Sequence, residues 1–219
     1  MRYRTFRNAD PPALVALWNE ALTRRGAVEL RSHTPLENAV FNKPYFDPTG
    51  FFVAEDEAGR LAGFAHAGFG PNDDLSALDY ARGVVCAVAV RPEHRRKKVG
   101  TELLHRCEEY LRQHGAATLR AGPIRPVKPF YLGVYGGSNA AGFLKSDPDA
   151  EPFFLAQGYR PDGRVLVFDR RLDLPLNIVD ARFGVLRKRY EPQALPQARL
   201  GSWWRFVRMT PIAQTCGRR

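Results

Sequence analysis

With 219 residues the chain is long enough for one domain with a sizeable core plus an extension. Its net charge of +10 is unevenly placed: from Arg170 to Arg219 eleven lysines or arginines face only Asp173, Asp180 and Glu191, leaving residues 1–169 close to neutral. A uniformly basic nucleic-acid-binding body is thereby disfavoured, and no apolar run approaches the roughly 20 residues of a bilayer span. Residues 2–7 alternate as an opening strand, and Asp10 is placed to cap a helix with Pro11 at its first position. Leu14, Leu17, Trp18, Ala21 and Leu22 recur at helical spacing and define one buried face. A second helical segment is expected over Leu36–Phe41. Gly50–Glu55 and Leu61–Ala67, joined by the polar turn Asp56–Arg60, read as a hairpin. The polar stretch Gly70–Tyr80 reads as a loop.

The run Val84–Val90 lacks polar alternation, as expected of a strand buried on both faces. After Arg91-Pro92-Glu93-His94 and the basic loop Arg95-Arg96-Lys97-Lys98 comes an amphipathic helix. It turns Val99, Leu103, Leu104, Cys107, Tyr110 and Leu111 inward and ends at His114-Gly115. Further strands are expected at Thr118–Ala121 and Arg164–Phe168, with a short helix over Glu151–Gln157. The order is β-α-α-β-β-β-α-β-α-β, a mixed sheet flanked by helices. A buried strand feeding a cationic loop at a helix N-terminus is an anion site. Backbone amides from Arg95 to Thr101 precede the helical ladder, and the helix dipole adds positive potential. Gly100 lets the backbone approach a phosphate, and Arg95, Arg96, Lys97 and Lys98 add charge.

Val88 to Gly100 matches a strand, x-Pro-x-x-Arg and Arg-x-x-Gly-x-Gly pattern, and Ala150–Tyr159 matches a late helix ending in a Gly-aromatic pair. On these two stretches the sequence resembles the GNAT superfamily of acetyl-CoA-dependent N-acetyltransferases over residues 1–172. The resemblance implies an α/β fold with a central mixed, mostly antiparallel sheet flanked by helices, and acetyl-CoA as cofactor. It implies pyrophosphate binding at Arg95, Arg96, Lys97, Lys98, Val99, Gly100 and Thr101. Backbone hydrogen bonds from Val88 and Val90, flanking Ala89, would go to the pantetheine arm as to an added strand. Lys98 stands where a glycine is usual. Phe154 stands where many relatives carry a tyrosine that protonates the leaving thiolate, and Asp147 where an asparagine is common.

The loss of that tyrosine directs attention to the long connection Pro123–Ser146, whose Tyr131 and Tyr135 are the candidate catalytic proton donors or else simply pack the loop. Cys86 reads as a small core residue or a base, and His66 as a structural histidine or a relay facing the acceptor. His94 would touch cofactor or solvent. Cys86, Cys107 and Cys216 show no metal-ligand spacing, so no metal is expected and a reducing cytoplasm fits. Met1–Phe6 lacks the apolar core of a signal peptide. Residues 173–219 form a basic, aromatic extension, linker-like and resembling the join of tandem family proteins. Its Trp203, Trp204 and Phe206 are expected to pack on their own domain or in a homodimer. The expected partner is a small-molecule or peptide amine. Rival readings are a catalytically silent acyl-CoA-binding module and a nucleic-acid binder acting through the tail.

Overall fold

A computed structural model describes residues 1–122, 130–135, 142–163, 182, 190–194 and 204–208. The chain divides into two compact units, Met1–Val167 and Phe168–Arg219. In the first, five strands lie side by side in chain order: β1 (Arg2–Thr5), β2 (Phe51–Glu55), β3 (Leu61–Pro71), β4 (Leu78–Val90) and β5 (Thr118–Ala121). The pairs from β1 through β4 are antiparallel and β4–β5 is parallel. The mixed, mostly antiparallel sheet expected from the sequence is therefore present.

The two faces of the sheet have different residues because β3 alternates large and small side chains. Phe64 joins Phe51, Val53, Val84 and Cys86 on one face, under α1 (Pro11–Ala21) and α2 (Thr34–Leu36), which continues as a π turn over Glu37–Phe41. Ala62, Ala65 and Ala67 lie on the other with Ala54 and Val85, where their small size lets α3 (Val99–Gln113) sit close. Leu14, Leu17 and Trp18 of α1 are at most 1% exposed, and burying each contributes about 1.5–3 kcal/mol. The crossing from α1 to α2 is pinned by Trp18, whose indole donates to the Val28 carbonyl, and by Asn19, which both donates to and accepts from the Leu30 backbone.

Three local expectations are revised. The stretch read as a loop is strand at both ends and turn only over 72–77: β3 runs on to Pro71 and β4 begins at Leu78, so the two form one long hairpin. His66 consequently lies inside β3, not at its end. Asp10 does not cap α1 with its side chain; its carboxylate instead accepts from both terminal nitrogens of Arg4 and from the Arg7 amide. The Arg4 guanidinium also binds Glu55, a better use of the charge than a cap because it ties β1 to β2 and to the helix start. The short helix after the long connection is α4 (Ala150–Ala156). The strand expected at 164–168 lies outside the described residues. In the second unit, β6 (Tyr190–Ala194) and β7 (Trp204–Arg208) pair as an antiparallel ribbon; Trp203 lies outside the described residues.

Candidate functional site

The site is built where β4 outruns its neighbour. β5 pairs with β4 only from Arg82 to Val85, and the Gly122 amide closes the ladder on the Val85 carbonyl. β4 continues to Val90, so among the described residues its last five positions have no strand on the β5 side. The cleft begins at a bulge. Val85 pairs with Ala67 and Ala87 with His66, which leaves Cys86 as the extra residue. The orientation of the free edge follows from two contacts. The Arg91 amide donates back to β3 at Ala62, whereas the Val90 carbonyl accepts from Arg95 Nε on the open side. By strand alternation the Val88 amide and carbonyl face the open side too. Val88 and Val90 are half-buried and Ala89 is buried.

The mouth of the cleft is the start of α3. Its first ladder bond runs from the Glu102 amide to the Lys98 carbonyl, so the amides of Val99, Gly100 and Thr101 precede the ladder. Arg96 and Lys98 both take left-handed backbone conformations, with φ of 59° and 61°. Lys98, which stands where a glycine is usual, therefore bears the steric cost of that conformation, and Arg96 shares it. A Cβ on Gly100 would come to 3.4 Å from Phe153 and 3.5 Å from Val90, which the neighbouring protein tolerates. The four cations divide. Arg96, Lys97 and Lys98 are exposed, but Arg95 turns inward. Its guanidinium binds the Val90 carbonyl at 3.1 Å, the Ala21 carbonyl at 2.8 Å and Asp149 at 3.3 Å, joining the ends of β4 and α1 to the start of α4.

Both tyrosines singled out in the sequence are described, and the structure separates their surroundings. Tyr131 is 2% exposed on the α1 face, stacked on Trp18 at 5.8 Å, and its hydroxyl meets Nδ1 of His66 at 3.2 Å. It has a φ of 63°, uncommon for a bulky side chain. Tyr135 is 8% exposed; its hydroxyl accepts from the Leu144 amide, and its ring faces Phe143. Phe143 in turn meets Phe154 at a tilt, with ring centres 4.4 Å apart, and Phe154 also meets Phe153 and Tyr159. The Tyr159 hydroxyl donates to Glu108. Burial raises both candidate phenols: Tyr135 to about 12, and Tyr131 well above the usual value, with Cys86 and Cys107 nearby adding to the effect.

His66 is fully buried among Phe46, Phe51, Phe130 and Tyr131, and burial lowers its pKa to about 3. Nε2 has no hydrogen-bond partner among the described residues. Burial likewise raises the Cys86 thiol far above its usual value, which leaves it a neutral core residue rather than a base. His94 is half-buried near Asp56, at 3.8 Å. Among the described residues no cluster of candidate metal ligands occurs, and no helix is long and apolar enough to cross a membrane.

Sequence reasoning missed the inward role of Arg95, the meeting of His66 with Tyr131, and the contact of Gly122 with Gly142. A Cβ on Gly122 would come to 2.4 Å from Gly142 Cα, which fixes Phe143 beside the open end of β5. Two neighbouring concavities, the larger about 240 Å³, share Tyr110 and His114 at the far end of α3. At 1.5 Å per residue, that end lies about 20 Å from Lys98.

Solved structures share this fold at low identity. The aminoglycoside antibiotic 6′-N-acetyltransferase AAC(6′)-IG of Acinetobacter haemolyticus matches 79% of this chain and 100% of its own, with 14% identity and a TM-score of 0.51. A transcriptional regulator of Bacillus halodurans matches 77% of this chain and 99% of its own, with 15% identity and a TM-score of 0.52. AAC(6′)-Iy, in complex with the bisubstrate analogue CoA-S-monomethyl-acetylneamine, matches 78% and 97%, with 14% identity and a TM-score of 0.50. No curated protein matches the sequence. The model of the acetyltransferase (GNAT) family matches residues 13–133, which take in the bulge, the free edge of β4 and the whole of α3. The chain belongs to the acetyltransferase (GNAT) family.

Proposed function

We propose that the protein is an acetyl-CoA-dependent N-acetyltransferase that moves the acetyl group directly to an amine. The observation that carries this reading is the free edge of β4 between Val85 and Val90, ending at an α3 N-terminus that carries exposed cations. The residues present fit acetyl-CoA. Amides of Val99, Gly100 and Thr101 suit the pyrophosphate, Arg96, Lys97 and Lys98 add charge around it, and the Val88 backbone suits the pantetheine arm. Arg95 holds the mouth in shape and already occupies the Val90 carbonyl. Acetyl-CoA supplies an activated acyl group as a thioester. The chain's part is to orient that group against the amine at the apex near Cys86, to exclude water there, and to provide a proton for the leaving sulfur. Tyr131 and Tyr135 are the candidates for that proton.

The acceptor is an amine carried by a small molecule or a peptide. Two solved structures of the same fold are named as aminoglycoside acetyltransferases or bear an aminoglycoside-derived analogue, which puts polyamino sugars first in a screen. Calorimetric titration with acetyl-CoA, run beside a thiol-release assay over aminoglycosides, polyamines, amino acids and peptides, tests the proposal. Binding with acceptor-dependent CoA release is expected. Binding without release from any amine would favour a silent acyl-CoA-binding module, and no binding would overturn the reading.

A further inference from the structure

We infer that His66 is the positioning residue of the proton donor, and that the donor is Tyr131 rather than Tyr135. The inference rests on the acetyltransfer reading and extends it to residues on β3 and in the 130–135 segment. Three independent features converge on the α1 face at the apex of the cleft. The β4 bulge at Cys86 lies opposite His66, at the point where β5 stops pairing. Tyr131 holds an unfavourable left-handed backbone and is fixed there by its amide on the Ala39 carbonyl and by its stack on Trp18. His66 is wholly buried, yet one ring nitrogen has no partner among the described residues and the other meets the Tyr131 hydroxyl. A buried polar atom without a partner is costly, and strained backbone gathers at working sites.

The roles follow from the two nitrogens. An unpaired N–H in an aromatic box costs more than an unpaired lone pair, because orphaned buried donors are the rarer species. Nδ1 therefore carries the hydrogen and donates it to the phenol oxygen, and Nε2 keeps a bare lone pair. The Tyr131 proton is thereby freed to point away from His66. The acyl step then balances without any charge on the imidazole. The amine nitrogen bonds to the acyl carbon, the carbon–sulfur bond breaks, and sulfur takes the phenolic proton. The proton shed by the amine refills the phenolate. Throughout, the Nδ1–H hydrogen bond steadies the transient negative charge on the Tyr131 oxygen. Tyr135 lacks such a partner: its oxygen accepts from a backbone amide, and its ring abuts Phe143.

Two measurements on the full-length protein test this. Nitrogen-15 NMR of the imidazole, which needs no substrate, is expected to show His66 neutral with the hydrogen on Nδ1. A hydrogen on Nε2 would overturn the inference whatever the fate of the acetyltransfer reading. Kinetics supply the second arm through a double-mutant cycle. Tyr131→Phe is expected to lower kcat about 100-fold and His66→Phe about tenfold, both with KM nearly unchanged, as for loss of a general acid and of its support. In the Tyr131→Phe background, His66→Phe should cost nothing further, because both changes act on one hydroxyl. His66→Asn, which keeps a donor near the Nδ1 position, should recover part of kcat. Additive losses, or a larger loss from Tyr135→Phe than from Tyr131→Phe, would overturn the assignment. An absence of CoA release by the unaltered protein with every amine would defeat the acetyltransfer reading instead and leave the NMR outcome to decide the tautomer.

Discussion

Lys98 shows how a single residue can oppose the geometry of its site. Its φ of 61° is one that glycine adopts at no steric cost, while a side chain bears a penalty of about 1 kcal/mol. Lys98→Gly is therefore expected to raise stability by about 1 kcal/mol in urea unfolding. Affinity for acetyl-CoA should fall less than tenfold, because the neighbouring amides remain and only one exposed charge is lost. His66 makes a second residue-scale prediction through its protonation. Burial puts its folded pKa near 3 against 6.5 in the unfolded chain. The unfolded state thus takes up a proton below pH 6.5 that the native state refuses until about pH 3. The contribution of His66 is complete above pH 6.5 and is lost as pH falls towards 3, at up to about 1.4 kcal/mol per pH unit. Between pH 7 and 5 unfolding free energy should drop by about 2 kcal/mol more in the native protein than in His66→Phe.

Between elements, Arg95 binds three ends that hydrophobic packing alone leaves adjustable. It accounts for the Val90 carbonyl at the end of β4, the Ala21 carbonyl at the end of α1 and a carboxylate just before α4. Hydrogen bonds from a charged donor contribute about 1.5–3 kcal/mol in favourable settings, and this side chain is 32% exposed, so screening reduces the Asp149 part. Arg95→Ala is expected to cost about 2 kcal/mol and to speed amide exchange in the first turn of α4 more than in α3. The same residue marks the limit of sequence reading. Its place in the loop is visible from the order strand, Pro, basic run, helix, because local propensity and periodicity decide that order. The direction of its side chain is set by Ala21 and Asp149, 74 and 54 residues away, and no local pattern encodes them. The His66–Tyr131 meeting is hidden for the same reason, the partners being 65 positions apart. The β3–β4 hairpin was obscured differently: polar Asn72–Ser76 makes a tight hydrogen-bonded turn, but Leu78–Tyr80 reads as loop because the strand is not buried at that end.

At the scale of the whole chain, charge and core are in different places. The first unit contains both hydrophobic clusters, the whole five-stranded sheet and the cleft beside β4. The segment from Asp173 onward carries nine lysines or arginines against three acids, and therefore most of the electrostatic attraction to polyanions. Stability and acetyl-CoA binding should then separate from polyanion binding when the chain is shortened. A protein ending at Leu172 is expected to unfold cooperatively, with a melting temperature within a few degrees of the full chain, because its core is its own. Its affinity for acetyl-CoA should change less than threefold, since the amides, cations and free strand edge all precede residue 102. Retention on a heparin column should meanwhile fall to a markedly lower salt concentration, as counterion release scales with the number of cations engaged. If shortening instead abolishes acetyl-CoA binding while the remaining domain stays folded, the extension contributes to the site and the division at Leu172 is wrong. If heparin retention survives, the affinity resides in the exposed Arg96–Lys98 loop, and soluble acetyl-CoA should then compete for it.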